Sequence, residues 1–174
     1  MENEKRKGTQ IIGSWRHKIR CGEVNMVNDV NVRYIKLNAL AKAPSYGSNY
    51  AAGADLYAAT SECLTIKHGE TVLVGTGIAT EIPEGYVGLV FARSGLATKK
   101  GLAPANKVGV IDSDYRGEIK VALHNHSSID QTIDAGERIA QLVIMPYVHA
   151  NFEFAYELSV TERGEGGFGS TGTK

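Results

Sequence analysis

The sequence predicts an all-β domain with one short helix, and two observations carry this prediction. From Val30 onward, short runs rich in β-favouring residues are separated by turn residues about every ten positions, as in a β-sandwich or barrel. In the clearest run, Ile119, Val121 and Leu123 alternate with polar or small residues. This period of two places the three apolar side chains on one face of a half-buried strand.

Each further element has its own signal. Eight strands are predicted over residues 32–37, 71–74, 78–82, 86–92, 108–111, 119–124, 139–145 and 152–156. Another strand is expected within residues 52–57, after Gly53, which permits a close approach by a backbone or a ligand. The only helix is predicted over residues 94–100, where Ser94 can serve as the N-cap. Four turns are expected to end in a glycine with positive φ, at Gly69, Gly85, Gly117 and Gly136.

Charge balance and cysteine count exclude several classes of protein. Lys and Arg number 19, as do Asp and Glu, so no one-sided basic surface is expected and stable nucleic-acid binding is disfavoured. Cys21 and Cys63 are too few for a disulfide framework, which favours a reducing compartment. No run approaches the roughly 20 apolar residues of a membrane helix. We expect a soluble protein of the cytoplasm or nucleus that does not bind a membrane.

Composition divides the chain into three parts. Residues 1–28 are polar and lack a hydrophobic period, so we predict a flexible N-terminal arm whose partner the sequence does not identify. Residues 29–160 carry the strand pattern and form the predicted β domain. Residues 161–174 are Gly-rich and predict a second mobile arm. Unlike a plain linker, this second arm offers the cation of Arg163, the aromatic ring of Phe168 and the hydroxyl groups of Ser170 and Thr171.

One turn region contains two carboxylates. In the segment GVIDSDYRGE at residues 109–118, an apolar strand leads into Asp112 and Asp114, which share a face if the strand continues that far. Asp is common in hairpin turns, where it caps backbone groups. A carboxylate at the end of a strand is also a candidate general base. The segment alone leaves both interpretations open.

Three other segments place polar groups where strands meet turns. Asp55 enters a strand after Gly53. Arg93 and Ser94 stand where a strand meets the predicted helix, and the free N–H groups of a helix start favour anions. Gln141 interrupts an apolar strand, where its buried amide would need a partner. Each of these has an ordinary structural explanation when taken alone.

Five segments in this order resemble the trimeric dUTPase family, the deoxyuridine triphosphate nucleotidohydrolases. They are AGADLYA at 52–58, ARSGLA at 92–97, GVIDSDYRGE at 109–118, GERIAQLV at 136–143 and RGEGGFGSTG at 163–172. The resemblance extends from Val30 to Thr173, and the N-terminal arm lies outside it. Ala92 departs from the family pattern, in which many members have Gly or Pro before Arg-Ser-Gly, and we expect no effect on the chemistry.

The resemblance implies a distorted jelly-roll β domain that forms a homotrimer. The C-terminal arm of one subunit would be exchanged and would close over an active site built by its neighbours. The implied substrate is dUTP, hydrolysed to dUMP and pyrophosphate by attack of water at the α-phosphorus. This reaction would limit uracil incorporation into DNA and supply dUMP for thymidylate synthesis.

The resemblance also assigns roles to residues at the nucleoside end of the substrate. Asp112 matches the general base that positions and deprotonates the attacking water, and Asp114 would only serve the turn. Tyr115 matches the ring that packs against deoxyribose and excludes a ribose 2′-hydroxyl. The residues matching those that read the uracil edge are Asn106, Gly109, Val110, Ile111 and Lys120.

Other matching residues would contact the phosphates. Ser94, Gly95 and Gln141 match contacts to phosphate and to the catalytic water, and Arg93 matches a structural and phosphate-facing cation. In the C-terminal arm, Phe168 would cover the uracil ring. The remaining arm residues expected to bind phosphate are Arg163, Gly169, Ser170 and Thr171.

The expected cofactor is Mg²⁺, held by substrate phosphates and water with no direct protein ligand. Asp55 would act on its outer shell or catalytically by ordering the site, or would be purely structural. Two other classes of function remain possible on this fold. One is a dCTP deaminase or a bifunctional relative, and the other is a non-catalytic nucleotide-binding module.

Overall fold

The structure is a computed structural model that describes residues 29–167. All the regular elements described lie in one compact unit, which begins at Asn31. Between residues 29 and 167 there are twelve strands and one helix, which confirms the predicted all-β class. The elements are β1 (Arg33–Lys36), β2 (Ser45–Tyr46), β3 (Ala54–Tyr57), β4 (Leu64–Ile66), β5 (Thr71–Gly75), β6 (Ile78–Glu81), β7 (Tyr86–Phe91), α1 (Ser94–Lys100), β8 (Leu102–Pro104), β9 (Gly109–Ile111), β10 (Lys120–Asn125), β11 (Gln131–Ile133) and β12 (Arg138–Pro146).

The strands form antiparallel sheets of two to five strands. The largest has the order β2-β3-β12-β7-β9, and a second has the order β5-β10-β8. Two-stranded sheets join β1 to β6 and β11 to β4. The nine-residue strand β12 pairs with β3 on one side and β7 on the other, and β7 in turn pairs with β9. These pairings bring three of the five signature segments into one sheet.

The core follows the alternation predicted along β10. Ile119, Val121 and Leu123 are buried, whereas the residues between them are at least partly exposed. Each such side chain contributes about 1.5 to 3 kcal/mol when fully buried. Large buried side chains from other elements pack into the same cluster, among them Leu56, Ile66, Leu102, Ile133 and Ile139.

The helix has the predicted bounds but a different first turn. Its N-cap is Arg93, with φ −85° and ψ 128°, and no side chain caps the helix there. Ser94 is therefore the first helical residue, and its predicted role as N-cap is wrong. At the other end, Gly101 takes φ 65° and its N–H group bonds back to the carbonyls of Ala97 and Leu96. Within residues 29–167, no helix has the length and apolar character needed to cross a bilayer.

The predicted strand over residues 152–156 is wrong. This segment is not in a strand, and Phe152 and Phe154 are 94% and 84% exposed. Alternating residues fit a pleated strand, but a strand also needs a neighbour to accept its hydrogen bonds, and the described part of the chain offers none. The strands that pattern reading did not single out are β2, β4, β8 and β11, whose two or three residues are too short to show a period.

Three of the four predicted turn glycines have positive φ. Gly69, Gly85 and Gly136 have φ values of 74°, 84° and 69°. Gly117 lies outside the left-handed region, so its predicted conformation is wrong. A Cβ added there would lie 2.3 Å from the Tyr115 hydroxyl oxygen, so any side chain at this position would have to displace the Tyr115 ring.

Candidate active site

A cavity of about 390 Å³ lies where β9 leads through a turn into β10. Seven lining residues were predicted from the sequence to bind the nucleoside or act beside it, namely Asn106, Gly109, Val110, Ile111, Asp112, Tyr115 and Lys120. The structure therefore brings these predicted residues together. Sequence reading missed the lining residues Leu73, Val90, Pro104, Glu118, Val121 and Ala122. Most of these belong to apolar strand patterns, which predict packing and give no sign of a binding surface.

One wall of the cavity consists largely of backbone. β9 is the edge strand of its sheet, pairing only with β7 among the described strands. An edge strand leaves backbone N–H and C=O groups unpaired on its outer side. The Asn106 amide nitrogen would lie 3.5 Å from a Cβ added at Gly109, so the Asn106 side chain lies against the backbone of β9. The wall thus combines an amide with free backbone donors and acceptors, which the edge of a pyrimidine base can match.

Tyr115 forms another part of the wall. Its side chain is 44% exposed, and its hydroxyl donates a hydrogen bond to the Glu118 carbonyl at 3.0 Å. The Tyr115 N–H donates to the Asp112 carbonyl at 3.2 Å and closes the turn. The turn therefore holds both the ring and the Asp112 backbone at the rim of the cavity.

The two carboxylates of the turn differ in position. Asp112 lines both the 390 Å³ cavity and a larger, open cavity of about 1040 Å³, whereas Asp114 lines only the larger one. Neither carboxylate has a hydrogen-bond partner among residues 29–167, and the nearby Arg116 donates to the Ser113 and Tyr115 carbonyls instead. Asp112 is thus the carboxylate that can reach a ligand in the smaller cavity with its oxygens free to accept a proton.

A second cluster surrounds Asp55 on β3. This carboxylate is only 4% exposed. Its Oδ1 accepts a hydrogen bond from Arg93 Nε at 2.8 Å, and its Oδ2 accepts one from an Arg138 guanidinium nitrogen at 3.2 Å. A buried charge needs such partners, and here both oxygens are occupied. The contacts favour a positioning role for Asp55, which holds Arg93 at the start of α1.

Arg138 was not predicted as a site residue. It begins β12 and pairs in register with Tyr57 on β3, which brings its guanidinium to Asp55. The available signal was the cation within the GERIAQLV segment, placed directly before an apolar strand. Surface cations are common at the start of a strand. The sequence therefore does not distinguish an arginine paired with a buried carboxylate from one that faces solvent.

Gln141 lies in the same region of the sheet. Its register partners are Asp55 on β3 and Phe91 on β7. A Cβ added at Gly53 would lie 3.1 Å from Gln141 Cβ, so the close approach predicted at this glycine is made by the Gln141 side chain. Ser94 follows Phe91 by three residues and is exposed in the first turn of α1. Gly95 is exposed beside it, with no heavy atom within 4 Å of an added Cβ.

The two clusters lie apart within one chain. Ile111 pairs with Gly88 of β7, whereas Gln141 pairs with Phe91 on the opposite side of the same strand. Three residues along a strand and two strand spacings separate the Ile111 and Gln141 Cα atoms by about 14 Å. Asp112 is one residue farther, and side chains stand roughly perpendicular to a sheet. Asp112 and Gln141 of one chain therefore cannot hold the same water molecule.

The described residues contain few groups suited to bind a metal ion directly. Within residues 29–167, no three side chains of His, Cys, Asp or Glu lie close enough together to form a metal site. Both Asp55 oxygens accept hydrogen bonds from guanidinium groups, and the Asp112 carboxylate is free.

The structure reaches only the first of the predicted arm residues. Arg163 lies in an exposed turn, where its Nε donates to the Gly166 carbonyl at 2.8 Å. The predicted N-terminal arm, residues 1–28, lies outside the described residues. So do the other arm residues predicted to bind substrate, Phe168, Gly169, Ser170 and Thr171.

Comparisons with known sequences point to one family. The sequence model of the dUTPase family matches residues 39–172. The chain is 51% identical over 144 residues to the deoxyuridine 5′-triphosphate nucleotidohydrolase of Desulfitobacterium hafniense, with 82% of this chain and 95% of that protein covered. Over 137 residues it is 54% identical to the protein of the same name from Nautilia profundicola, with 79% and 95% covered.

Solved structures agree with the sequence comparison. The dUTPase of Staphylococcus bacteriophage 80alpha, solved with dUPNHPP, superposes with a TM-score of 0.75 at 31% identity, covering 82% of this chain and 98% of that one. A mutant dUTPase from phage phi11 of S. aureus, whose structure describes the coordination of a structural Mg(II) ion, gives a TM-score of 0.66 at 26% identity, covering 74% and 98%. These matches confirm the predicted jelly-roll-like β fold. By sequence and by fold, the chain belongs to the dUTPase family.

Proposed function

We propose that the protein hydrolyses dUTP to dUMP and pyrophosphate by attack of a water molecule at the α-phosphorus. The observation that carries this proposal is the cavity beside β9, where an amide, an edge-strand backbone and a tyrosine ring surround a pocket with the free Asp112 carboxylate at its rim. Family membership fixes the reaction class, and this cavity supplies groups of the chemistry that the substrate requires.

The cavity would select the base and the sugar. Backbone groups of Gly109–Ile111 and the Asn106 amide offer donors and acceptors at fixed positions, which suit uracil and leave no room for a misplaced cytosine amino group. A site that hydrogen-bonds its substrate rejects analogues that leave buried polar groups unpaired. Tyr115 would close the sugar end, where its ring leaves no space for a 2′-hydroxyl.

Asp112 would act on the attacking water. Its carboxylate accepts the proton as the water oxygen bonds to the α-phosphorus and the bond to the pyrophosphate oxygen breaks. Ser94, Gly95 and Arg93 would stabilise the phosphate charge, and Gln141 would orient the water from the opposite side. Asp55 would keep the Arg93 guanidinium in place, so that its charge needs no rearrangement during the reaction.

A complete site would require more than one copy of the chain, and we propose a homotrimer. Two features support this. Asp112 and Gln141 are too far apart within one chain to share a water molecule. The alternating apolar residues of the segment 152–160 are almost fully exposed, as expected of a strand whose partner belongs to another subunit. Exchange of this segment and of the following arm, residues 161–174, would bring Arg163, Phe168, Gly169, Ser170 and Thr171 to a neighbouring site.

Mg²⁺ is the proposed cofactor. Bound to the triphosphate oxygens and to water, it would neutralise charge on the leaving pyrophosphate. The donor set fits an ion carried by the substrate, because the buried carboxylate of Asp55 is already paired with two guanidinium groups. Asp55 would then act through Arg93 and through the order of the site. A reaction on deoxynucleotides also favours an intracellular location, in the cytoplasm or nucleus.

Pyrophosphate release tests this proposal. The purified full-length protein is incubated with Mg²⁺ and, separately, dUTP, dTTP, dCTP or UTP at one concentration, with the Asp112→Asn variant as the control for a contaminating hydrolase. We expect the protein to release pyrophosphate with a strong preference for dUTP. We expect the Asp112→Asn variant to lose this hydrolysis. Ammonia release from dCTP would favour a deaminase, and binding without turnover would favour a nucleotide-binding module; either outcome would overturn the proposal.

A further inference from the structure

Gly117 lies directly against the phenol end of Tyr115. A Cβ added at this glycine would stand 2.3 Å from the Tyr115 hydroxyl oxygen, 2.5 Å from Cζ and 2.9 Å from Cε2. These distances are shorter than any van der Waals contact, so the ring lies where every other residue type would place its side chain. Because the φ of Gly117 lies outside the left-handed region, backbone conformation does not explain the glycine. The close packing of the Tyr115 ring against this position explains the glycine.

The Tyr115 hydroxyl is also held by a hydrogen-bond acceptor whose position is fixed, the Glu118 carbonyl. The Tyr115 hydroxyl donates to the Glu118 carbonyl at 3.0 Å. The Glu118 side chain accepts a hydrogen bond from the Gly77 N–H at 2.8 Å, and its other carboxylate oxygen lies 3.5 Å from Lys120 Nζ. The next residue, Ile119, is fully buried and donates its N–H to the Ile78 carbonyl at 2.8 Å. The carbonyl that receives the Tyr115 hydroxyl is therefore held by contacts on both sides.

The two contacts together define where the ring lies. The hydroxyl donates to a fixed carbonyl, and the phenol end of the ring lies against a residue without a side chain, so the ring can lie back against the turn. Tyr115 lines the cavity beside β9, whereas Gly117 does not. A methyl group at position 117 would force the ring away from the turn, and the cavity wall would change its shape with no direct contact between the methyl group and the ligand.

We propose that Gly117 is a positioning residue for sugar selection, which sets the place of the Tyr115 ring through direct packing and so determines how strongly the site rejects a ribonucleotide. The inference rests on the proposed function, because it requires that Tyr115 contacts the sugar. It adds that selectivity depends on a residue outside the cavity and on the hydroxyl bond to the Glu118 carbonyl.

The test compares kcat/KM for dUTP and UTP in the full-length protein and in Gly117→Ala. We expect the dUTP-to-UTP ratio to fall by about tenfold or more, since displacing a wall that excludes one hydroxyl group has effects of that order. Tyr115→Phe, which keeps the ring and loses the bond to Glu118, is expected to lower the ratio in the same direction. It provides a second reading if the alanine variant fails to fold. Gly47→Ala is the matched control, because an added Cβ there meets no atom within 4 Å and its φ is not positive.

A double-mutant cycle separates positioning from a general structural effect. Tyr115→Ala removes the ring, and in that background Gly117→Ala should change the ratio no further, because coupled residues are non-additive. An unchanged ratio in a folded Gly117→Ala protein, or an equal loss with and without the ring, would overturn the inference. Failure of the proposed function appears instead in the unmodified protein, as an absence of pyrophosphate from dUTP, and that result would overturn both.

Discussion

The two clusters of candidate site residues use carboxylates in opposite ways. Asp55, in the cluster between β3 and β12, is buried and both of its oxygens accept hydrogen bonds from guanidinium groups. Asp112, beside β9, is exposed and has no hydrogen-bond partner among the described residues. A paired, buried carboxylate holds other groups in place, whereas a free one at a cavity rim can accept a proton. The surroundings of an acid, and not its residue type, therefore decide its role.

The clusters also differ in what they are made of. The cavity beside β9 consists of edge-strand backbone, one amide and one ring, and suits a neutral base and sugar. The other cluster places two guanidinium groups, an exposed serine and an exposed helix start near one another, and suits phosphate charge. Each is assembled within one chain, but the distance between them prevents Asp112 and Gln141 of a single chain from holding one water molecule.

The largest expected effect follows removal of the free carboxylate. Asp112→Asn should lower kcat by on the order of a hundredfold or more, because the amide cannot accept the proton of the attacking water. Nucleotide affinity and thermal stability should stay close to those of the unmodified protein. The measurements are steady-state hydrolysis of dUTP and calorimetric binding of a non-hydrolysable analogue. Asp114→Asn is the matched control and should keep its activity; a comparable loss there would erase the distinction between the two acids of the turn.

Compared with Asp112→Asn, replacement of the buried carboxylate of Asp55 should lower the rate less and the stability more. Asp55→Asn leaves the guanidinium groups of Arg93 and Arg138 without their counter-charge. We expect the free energy of unfolding to fall by about 2 kcal/mol, less than for a fully buried pair because Arg138 is half-exposed. Denaturant unfolding at a fixed protein concentration measures this loss. Unchanged stability together with the rate loss expected of Asp112→Asn would make Asp55 a catalytic group.

The smallest effect is expected outside both clusters. Thr80 on β6 is buried, and its hydroxyl has no partner among the residues that the structure describes. Thr80→Val replaces this hydroxyl with a methyl group of similar size, so the free energy of unfolding should stay the same or rise by about 1 kcal/mol. Activity should not change. A marked loss of stability in thermal unfolding would show that the hydroxyl is satisfied in the assembled protein.

Sequence patterns predicted every strand of four or more residues that pairs within the described part of the chain. Ile119, Val121 and Leu123 show the same alternation as residues 152–160, yet only the first set is buried. Alternation reports which face of a segment is apolar, and it carries no information on what covers that face. The strand prediction over residues 152–156 is therefore wrong because no neighbouring strand pairs with this segment in the described part of the chain.

The grouping of the candidate site residues was predictable where they are close in sequence, and less so where it depends on packing. The predicted residues from Asn106 to Lys120 gather around one cavity because the β9-to-β10 connection is local in sequence. Arg138 was missed because its contact with Asp55 depends on the register of two distant strands. Gly117 was assigned to the wrong cause, since a turn glycine signals positive φ and close packing equally well until the ring beside it is seen.

The central claim is that two separated clusters act together on dUTP across subunits, and mixed variants test it most directly. Asp112→Asn and Gln141→Ala are each expected to have little activity. When they are unfolded together, refolded and assayed, about a quarter of the sites in randomly mixed trimers should combine an intact Asp112 with an intact Gln141 of a neighbouring chain. Recovery of dUTP hydrolysis toward that fraction is the predicted result. No recovery, in mixtures shown by mass to contain both variants in one trimer, would contradict the claim.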